Sequence, residues 1–318
     1  MGFFYSQFFV TPAYPDQSFK GQTVIVTGSN TGLGKEAARH FVRLGAAKVI
    51  LAVRNTKAGE QAKADIESTT QCGSKTVEVW SLDLANYASV KAFAARASQE
   101  LDRVDVLCEN AGISTNEKKL FEGHESTITV NVISTFLLAL LMLPKLKETA
   151  QSLKKQTMLT IVSSEVHLWA KFPERHADSI FGALDASEDV SERYYVSKLL
   201  EVLTVRQLAT KVQNRGVTIN MLNPGLCHSE LGRDAGLFSV FTLTKAVMAR
   251  TTEVGSRTLV AAGAVGKDSH GKYMTDGLVD DEALSSFVKS AEGEEVGRRV
   301  WKELSEILEG IQPGVTKL

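Results

Sequence analysis

A tyrosine and a lysine four residues apart, Tyr194 and Lys198, carry the sharpest chemical signal in the chain. The segment around them, residues 192–200, has helical character, and an i, i+4 spacing puts both side chains on one face. An ammonium near a phenol favours the phenolate, bringing a pKa near ~10 toward the range useful for proton transfer. Tyr195 has Leu199 at the matching distance, so Tyr194 alone has the cationic neighbour. Taken singly, such a pair also arises by chance on surface helices. Upstream, the run Leu159-Thr160-Ile161-Val162 ends in Ser163 and Ser164. A hydroxyl at the carboxyl end of a strand in an open α/β sheet can hydrogen-bond a reacting carbonyl. Serine after a strand is otherwise an ordinary turn residue. There is no GxSxG elbow, which argues against a hydrolase nucleophile.

These residues need a frame, and the chain supplies one. Short apolar runs at 23–27, 48–53, 77–80, 104–107, 158–162 and 217–222 suit strands buried on both faces. Stretches with helical spacing lie between them, such as 34–44, 58–68 and 87–101. The alternation predicts an α/β fold: a doubly wound, Rossmann-type parallel sheet in a three-layer αβα sandwich with right-handed crossovers. No repeat, low-complexity segment or linker is visible, so we expect one domain over 21–318 preceded by an arm, 1–20.

The first strand runs directly into Thr27-Gly28-Ser29-Asn30-Thr31-Gly32-Leu33-Gly34 and then a helix. Glycines allow a tight turn and close backbone approach to a pyrophosphate, and the helix N-terminus presents free N–H groups. The spacing is GxxxGxG; a Walker A loop is excluded, because Gly34-Lys35 is followed by Glu. Three glycines can also simply form a turn, but between a first strand and a helix they favour a dinucleotide. A carboxylate at the end of the second strand would accept from a ribose 2′-OH and repel a 2′-phosphate. This chain has Val53-Arg54-Asn55-Thr56-Lys57 there, with no acid. Arg54 can form charge-assisted hydrogen bonds to a phosphate, with Lys57 as helper, although both also suit a solvated loop. NADP(H) is therefore favoured over NAD(H).

Bulk properties narrow the classes. A formal net charge of -1 gives no electrostatic reason to expect nucleic acid or an anionic membrane as partner. The three cysteines, Cys72, Cys108 and Cys227, are far apart and read as small core residues in a reducing, cytoplasmic compartment. Neither they nor the six histidines show metal-ligand spacing, so no metal is expected. The first ten residues are apolar and aromatic but lack basic residues and are followed by Pro12 and Pro15. They suit an arm packed on the body or on a second subunit better than a signal, a spanning helix or a membrane contact. The interior apolar run Phe136–Leu143 is too short to cross a bilayer.

The glycine loop, Asp83-Leu84, Asn110-Ala111-Gly112, Asn131, Ser163-Ser164, Tyr194-x-x-x-Lys198 and Asn223-Pro224-Gly225 together resemble the short-chain dehydrogenase/reductase family, over roughly residues 20 to 280. Within it the chain is similar to the retinol-dehydrogenase and WW-domain-oxidoreductase-like branch, through Ile161 to His167, the long insert before Tyr194 and Gly271-Lys272-Tyr273. A looser resemblance is to reductases of fungal biosynthetic pathways. The resemblance implies that Tyr194 is the acid in reduction and base in oxidation, and that Lys198 lowers its pKa and binds the nicotinamide ribose. Ser164 aligns with the substrate-polarising position, Ser163 less well. Asn131 would hold a water in a proton relay. Gly28, Asn30, Gly32, Leu33 and Gly34 would receive the phosphates. Asp83 and Leu84 would contact adenine, and Asn110, Ala111 and Gly112 would line the cofactor. Pro224, Gly225, Cys227 and Ser229, the last replacing a commoner threonine, would receive the nicotinamide carboxamide. Homo-oligomers are frequent in the family.

Two departures stand out. Glu109 replaces the usual first asparagine, with an expected effect on sheet-edge hydrogen bonding near the adenosine. Val132-Ile133-Ser134-Thr135 stands where the retinoid branch has His-Leu-Gly-His, which weakens any transfer of retinoid specificity. The substrate walls are expected near 165–193 and 230–250, where Val166, Leu168, Trp169, Phe172, Leu231, Leu237, Phe238, Val240 and Phe241 suggest an apolar pocket. The expectation is an NADP(H)-dependent oxidoreductase acting on an apolar carbonyl or alcohol. Its rivals are a cofactor-binding regulatory protein of the same fold and non-redox chemistry in a biosynthetic pathway.

Overall fold

The computed structural model describes residues 3–212, 216–228, 231 and 249–318. Its strands in chain order are β1 (Thr23–Thr27), β2 (Lys48–Val53), β3 (Val77–Ser81), β4 (Val106–Glu109), β5 (Leu120–Phe121), β6 (His124–Glu125), β7 (Thr157–Val162), β8 (Val217–Asn223), β9 (Tyr273–Thr275) and β10 (Leu278–Val279). Eight of them form one sheet in the order β10-β9-β8-β7-β4-β1-β2-β3, while β5 and β6 make a small separate hairpin. Every pairing in the large sheet is parallel except that of β10 with β9. The doubly wound α/β expectation is met. From β1 the chain winds outward to β2 and β3, then returns to β4 and winds the other way. The switch point between β1 and β4 opens a crevice at the carboxyl ends of the strands.

Alternation along the buried strands builds the two cores. Ile25, Leu107, Leu159 and Ile161 face one cluster, covered by the helices Tyr87–Glu100, Thr135–Leu153, Arg193–Lys211 and Ala291–Ile311. Val24, Val26, Val106, Met158 and Val162 face the other, covered by Gly32–Arg43, Thr56–Thr70 and Thr252–Ala262. Each fully buried aliphatic side chain is worth about 1.5–3 kcal/mol, so both faces of the sheet are strongly sealed. The strand expected over 104–107 lies two residues later, at Val106–Glu109, and so delivers Asn110 to the crevice. The 28-residue helical stretch Ser126–Leu153 is, unlike Phe136–Leu143 alone, long and apolar enough to cross a membrane, but 94% of its most apolar window is buried inside the molecule. It is a core helix.

The N-terminal arm forms a short helix, Phe3–Phe9, that packs by its polar side. Ser6 donates to Asp276 (2.7 Å), and the Gln7 amide bonds both N–H and C=O of Leu226, at 3.1 and 2.9 Å. Buried Arg250 donates to Ser6 O (2.7 Å), Val10 O (2.9 Å) and the Asp276 carboxylate (2.7 Å). Phe4, Tyr5, Phe8 and Phe9 remain exposed. Among the described residues, Arg250 and Asp276 supply the buried polar bonds that hold the arm. Removing one partner of a buried ion pair costs about 3–5 kcal/mol. Asp276 sits at φ 54°, a conformation asparagine tolerates. Asp276→Asn should therefore lower the urea midpoint and expose the first twelve residues to protease at native conditions. Unchanged stability and unchanged cleavage would show that the arm is held otherwise.

Candidate active site

A cleft of about 1300 Å³ runs along the carboxyl ends of the strands, from the glycine loop to Tyr194. At its β1 end, Gly28 adopts φ 65°, and a Cβ there would stand 2.9 Å from the Ala111 backbone. Gly32 has φ 59° with nothing within 4 Å of a would-be Cβ, so its backbone faces open space at the cleft wall. Gly34 lies behind the lining: a Cβ would fall 2.6 Å from the Asn110 amide. Its role is to let the helix Gly32–Arg43 approach β1. The N-cap of that helix, Thr31, makes no side-chain cap, whereas Asn55, Asn86, Thr251 and Ser290 cap theirs. The first-turn N–H groups are thus left for another acceptor. A loop that a side chain would fill, opening on an uncapped helix N-terminus, fits a dinucleotide pyrophosphate.

Asn110 ties the switch point together. Its amide donates to Thr27 O at 2.9 Å, while the Thr27 hydroxyl accepts from the N–H groups of Asn110 (3.0 Å) and Ala111 (2.9 Å). Asp83 holds its own turn, accepting from Ala85 N (3.0 Å). Asn30, Leu33, Arg54, Asp83, Leu84, Ala111 and Gly112 all line the cleft, whereas Lys57 does not and stays exposed on the first turn of its helix. Lys35, which the sequence reading used only to exclude a Walker loop, lines this end, ion-paired to Asp65 at 2.7 Å.

At the other end the catalytic candidates converge. Ser163 uses its hydroxyl to donate to Lys198 O at 3.0 Å, clamping β7 to the helix Arg193–Lys211. Ser164 instead hydrogen-bonds the Tyr194 phenol through its side chain. The two serines are thereby separated by geometry. His167 is buried, and its Nδ1 meets Ser164 O at 2.8 Å, fixing the turn that presents the serine. The Lys198 ammonium lies 5.7 Å from the Tyr194 ring centroid and donates to Val162 O (2.9 Å) and to Glu201 (2.8 Å). Burial pushes the Tyr194 phenol up, while Lys198 and Ser164 pull it down; the net direction is upward. The drop expected from the lysine is outweighed first by burial, with the charge of Glu201 adding to the rise.

Asn131 lies behind this wall, in a π-helical stretch, Thr129–Ser134. Its side chain accepts from Ile113 N (2.8 Å) and donates to Ile113 O (2.9 Å) and Ser197 Oγ (3.0 Å). Those bonds hold the Gly112–Ile113 segment to the helix that carries Ser197. Pro224, Gly225 and Cys227 line the cleft beyond β8. A Cβ on Gly225 (φ 79°) would meet Arg250 at 2.8 Å and Gln7 at 3.1 Å, so the N-terminal helix backs this segment. Ser229, Leu237, Phe238, Val240 and Phe241 lie outside the described residues. Val166, Trp169 and Leu231 line the cleft, Leu168 does not, and Phe172 is core. Tyr195, set aside on sequence, also lines it. Glu109 does not sit at an adenosine edge; it is buried beside Glu201. Glu201 was overlooked although it follows Lys198 by three residues, a spacing that shares a helix face.

The comparisons agree with this geometry. The family model described as short chain dehydrogenase matches residues 22–166. A short chain dehydrogenase/reductase, dmxR8, of Cryptosporiopsis sp. is 52% identical over 99% of both chains. The short-chain dehydrogenase anuD of Penicillium roqueforti is 44% identical over 99% of this chain and 84% of its own. A solved structure of a short chain dehydrogenase from Shigella flexneri complexed with NADP superposes with a TM-score of 0.60 at 22% identity, covering 83% of this chain and all of the other. One from Pseudomonas syringae gives 0.61 at 24%, covering 84% and 99%. With full-length relatives at this identity, the chain belongs to the short-chain dehydrogenase/reductase family of oxidoreductases.

Proposed function

We propose that the protein is an NADP(H)-dependent oxidoreductase that interconverts an apolar ketone or aldehyde and its alcohol. The observation that carries this reading is the convergence of Ser164, Tyr194 and Lys198 at the end of a cleft that begins at the glycine loop. The bound dinucleotide supplies or takes the hydride at carbon. In reduction, Ser164 hydrogen-bonds the carbonyl oxygen, and Tyr194 gives its phenolic proton to that oxygen as the charge develops. Lys198 stabilises the phenolate left behind, and Asn131 holds the Gly112–Ile113 wall opposite. Ile113, Phe121, Val166, Trp169, Leu226 and Leu231 give the cleft an apolar side suited to a lipophilic substrate.

Arg54 supports NADP(H): it lines the cleft and forms no ion pair with any described residue, leaving its guanidinium for a 2′-phosphate. NADP(H) use in turn favours reduction as the working direction.

Four outcomes follow. Tyr194→Phe should lower NADPH-dependent carbonyl reduction by ~10²–10⁴-fold while leaving nucleotide binding by fluorescence titration intact. Ser164→Ala should cost ~10²–10³-fold in kcat, and Ser163→Ala mainly thermal stability, since Ser163 clamps helix to strand; equal kinetic losses would erase the distinction. Arg54→Asp should weaken NADPH binding by roughly 10–100-fold, from about 1.5–3 kcal/mol per lost charge-assisted bond, and shift preference toward NADH. Because burial holds Tyr194 protonated, reduction should stay level through neutral pH and alcohol oxidation should rise with pH until the phenol ionises. A reduction rate that falls between pH 6 and 8 contradicts that assignment.

A further inference from the structure

Beneath the Tyr194–Lys198 pair lie two acids that the reaction above does not use. Glu201 is 2% exposed, Glu109 3% and Lys198 5%. Glu201 spends one oxygen on Lys198 at 2.8 Å and turns its carboxylate toward the Ser163 hydroxyl, its second oxygen buried without a well-formed hydrogen bond. Neither oxygen of Glu109 has a hydrogen-bond partner. Glu109 ends β4 opposite Ile161 of β7, on the sheet face that the helix Arg193–Lys211 covers. The groups around the two acids are Lys198 and Tyr194 from the helix, the Ser163 hydroxyl from the residue that follows β7 and the Cys108 thiol from β4.

One cation cannot balance two buried carboxylates. An unpaired carboxylate in a dry interior costs several kcal/mol, and two acids sharing a site relieve that cost by keeping a proton on one. We propose that Glu109 and Glu201 hold one proton between them and serve as a singly charged counter-ion beneath Lys198, a positioning pair that fixes where the ammonium stands relative to Tyr194. The proton rests on Glu109, which has no cation of its own, and the charge on Glu201. Burial and the neighbouring Glu201 both push the Glu109 carboxyl well above the ordinary range, in agreement with the geometry. The proposal rests on the Tyr194–Lys198 reading for its catalytic consequence but not for the proton itself.

Two measurements on the full chain need no turnover. The infrared spectrum at pH 7 should contain a protonated-carboxyl C=O band that disappears in Glu109→Gln. The Tm gap between Glu109→Gln and the parent should also widen in favour of the variant as pH rises from 5 to 8. The sign follows from linkage: a folded-state pKa raised above its unfolded value gives stability that is lost as pH rises, and glutamine has no such loss. No lost band together with a constant Tm gap would overturn the shared proton. For positioning, Glu201→Gln should move the acidic limb of alcohol oxidation about one pH unit lower, because Glu201 no longer offsets Lys198. Should that variant not fold, Glu201→Asp is read for a smaller shift in the same direction. An unmoved limb would refute the positioning role. If the parent transfers no hydride at all, the enzyme reading fails, while the infrared and stability results still decide the proton.

Discussion

An ammonium can sit in the dry interior of a protein only if every one of its hydrogens has an acceptor and its charge has a counter-charge. Lys198 directs two of its three hydrogens to Val162 O and to Glu201, which is also its counter-charge, and much of the surrounding architecture exists to keep those partners in place. Ser163 clamps the lysine's own carbonyl to β7, so the strand that supplies Val162 cannot drift from the helix that supplies the lysine. Ser197, adjacent in sequence, reaches Asn131, whose amide in turn holds Ile113. Strand, helix and π-helical stretch therefore meet at one buried positive charge.

The same economy governs the nucleotide end. Thr27 and Asn110 join the loops that leave β1 and β4, the two strands between which the sheet changes direction. Gly28 and Gly34 are glycines because Ala111 and Asn110 occupy the space a side chain would need. The loop is shaped from behind by protein and in front by an uncapped helix terminus. Rigidity at the switch point thus leaves polar backbone groups pointing into the cleft.

Much of the fold was legible because parallel strands buried on both faces are continuous apolar runs. Thr23–Thr27, Lys48–Val53 and Thr157–Val162 all stand within a residue of the expected position. Tyr194 could be told from Tyr195 by helical spacing alone. What escaped the sequence depended on the third dimension. Only the family resemblance preferred Ser164 to Ser163, and the clamping role of Ser163 is visible only once the helix beneath β7 is placed; Glu109 becomes a neighbour of Glu201 only once β4 and that helix share a face. Lys57 was expected to help Arg54, but the helix beginning at Thr56 carries it outside the lining. The N-terminal arm was expected to pack on the body or on a second subunit; the buried pair Arg250 and Asp276 that bonds it lies far away in the sequence.

The central claim is that this cleft passes a hydride to carbon while Tyr194 handles the proton at oxygen. The most direct measurement uses NADPH deuterated at the transferred position with a panel of apolar ketones and aldehydes, followed by mass spectrometry of the alcohols. The account predicts one deuterium on the carbinol carbon and a solvent-derived hydrogen on oxygen. Bound NADPH with no deuterium reaching any carbonyl would contradict it.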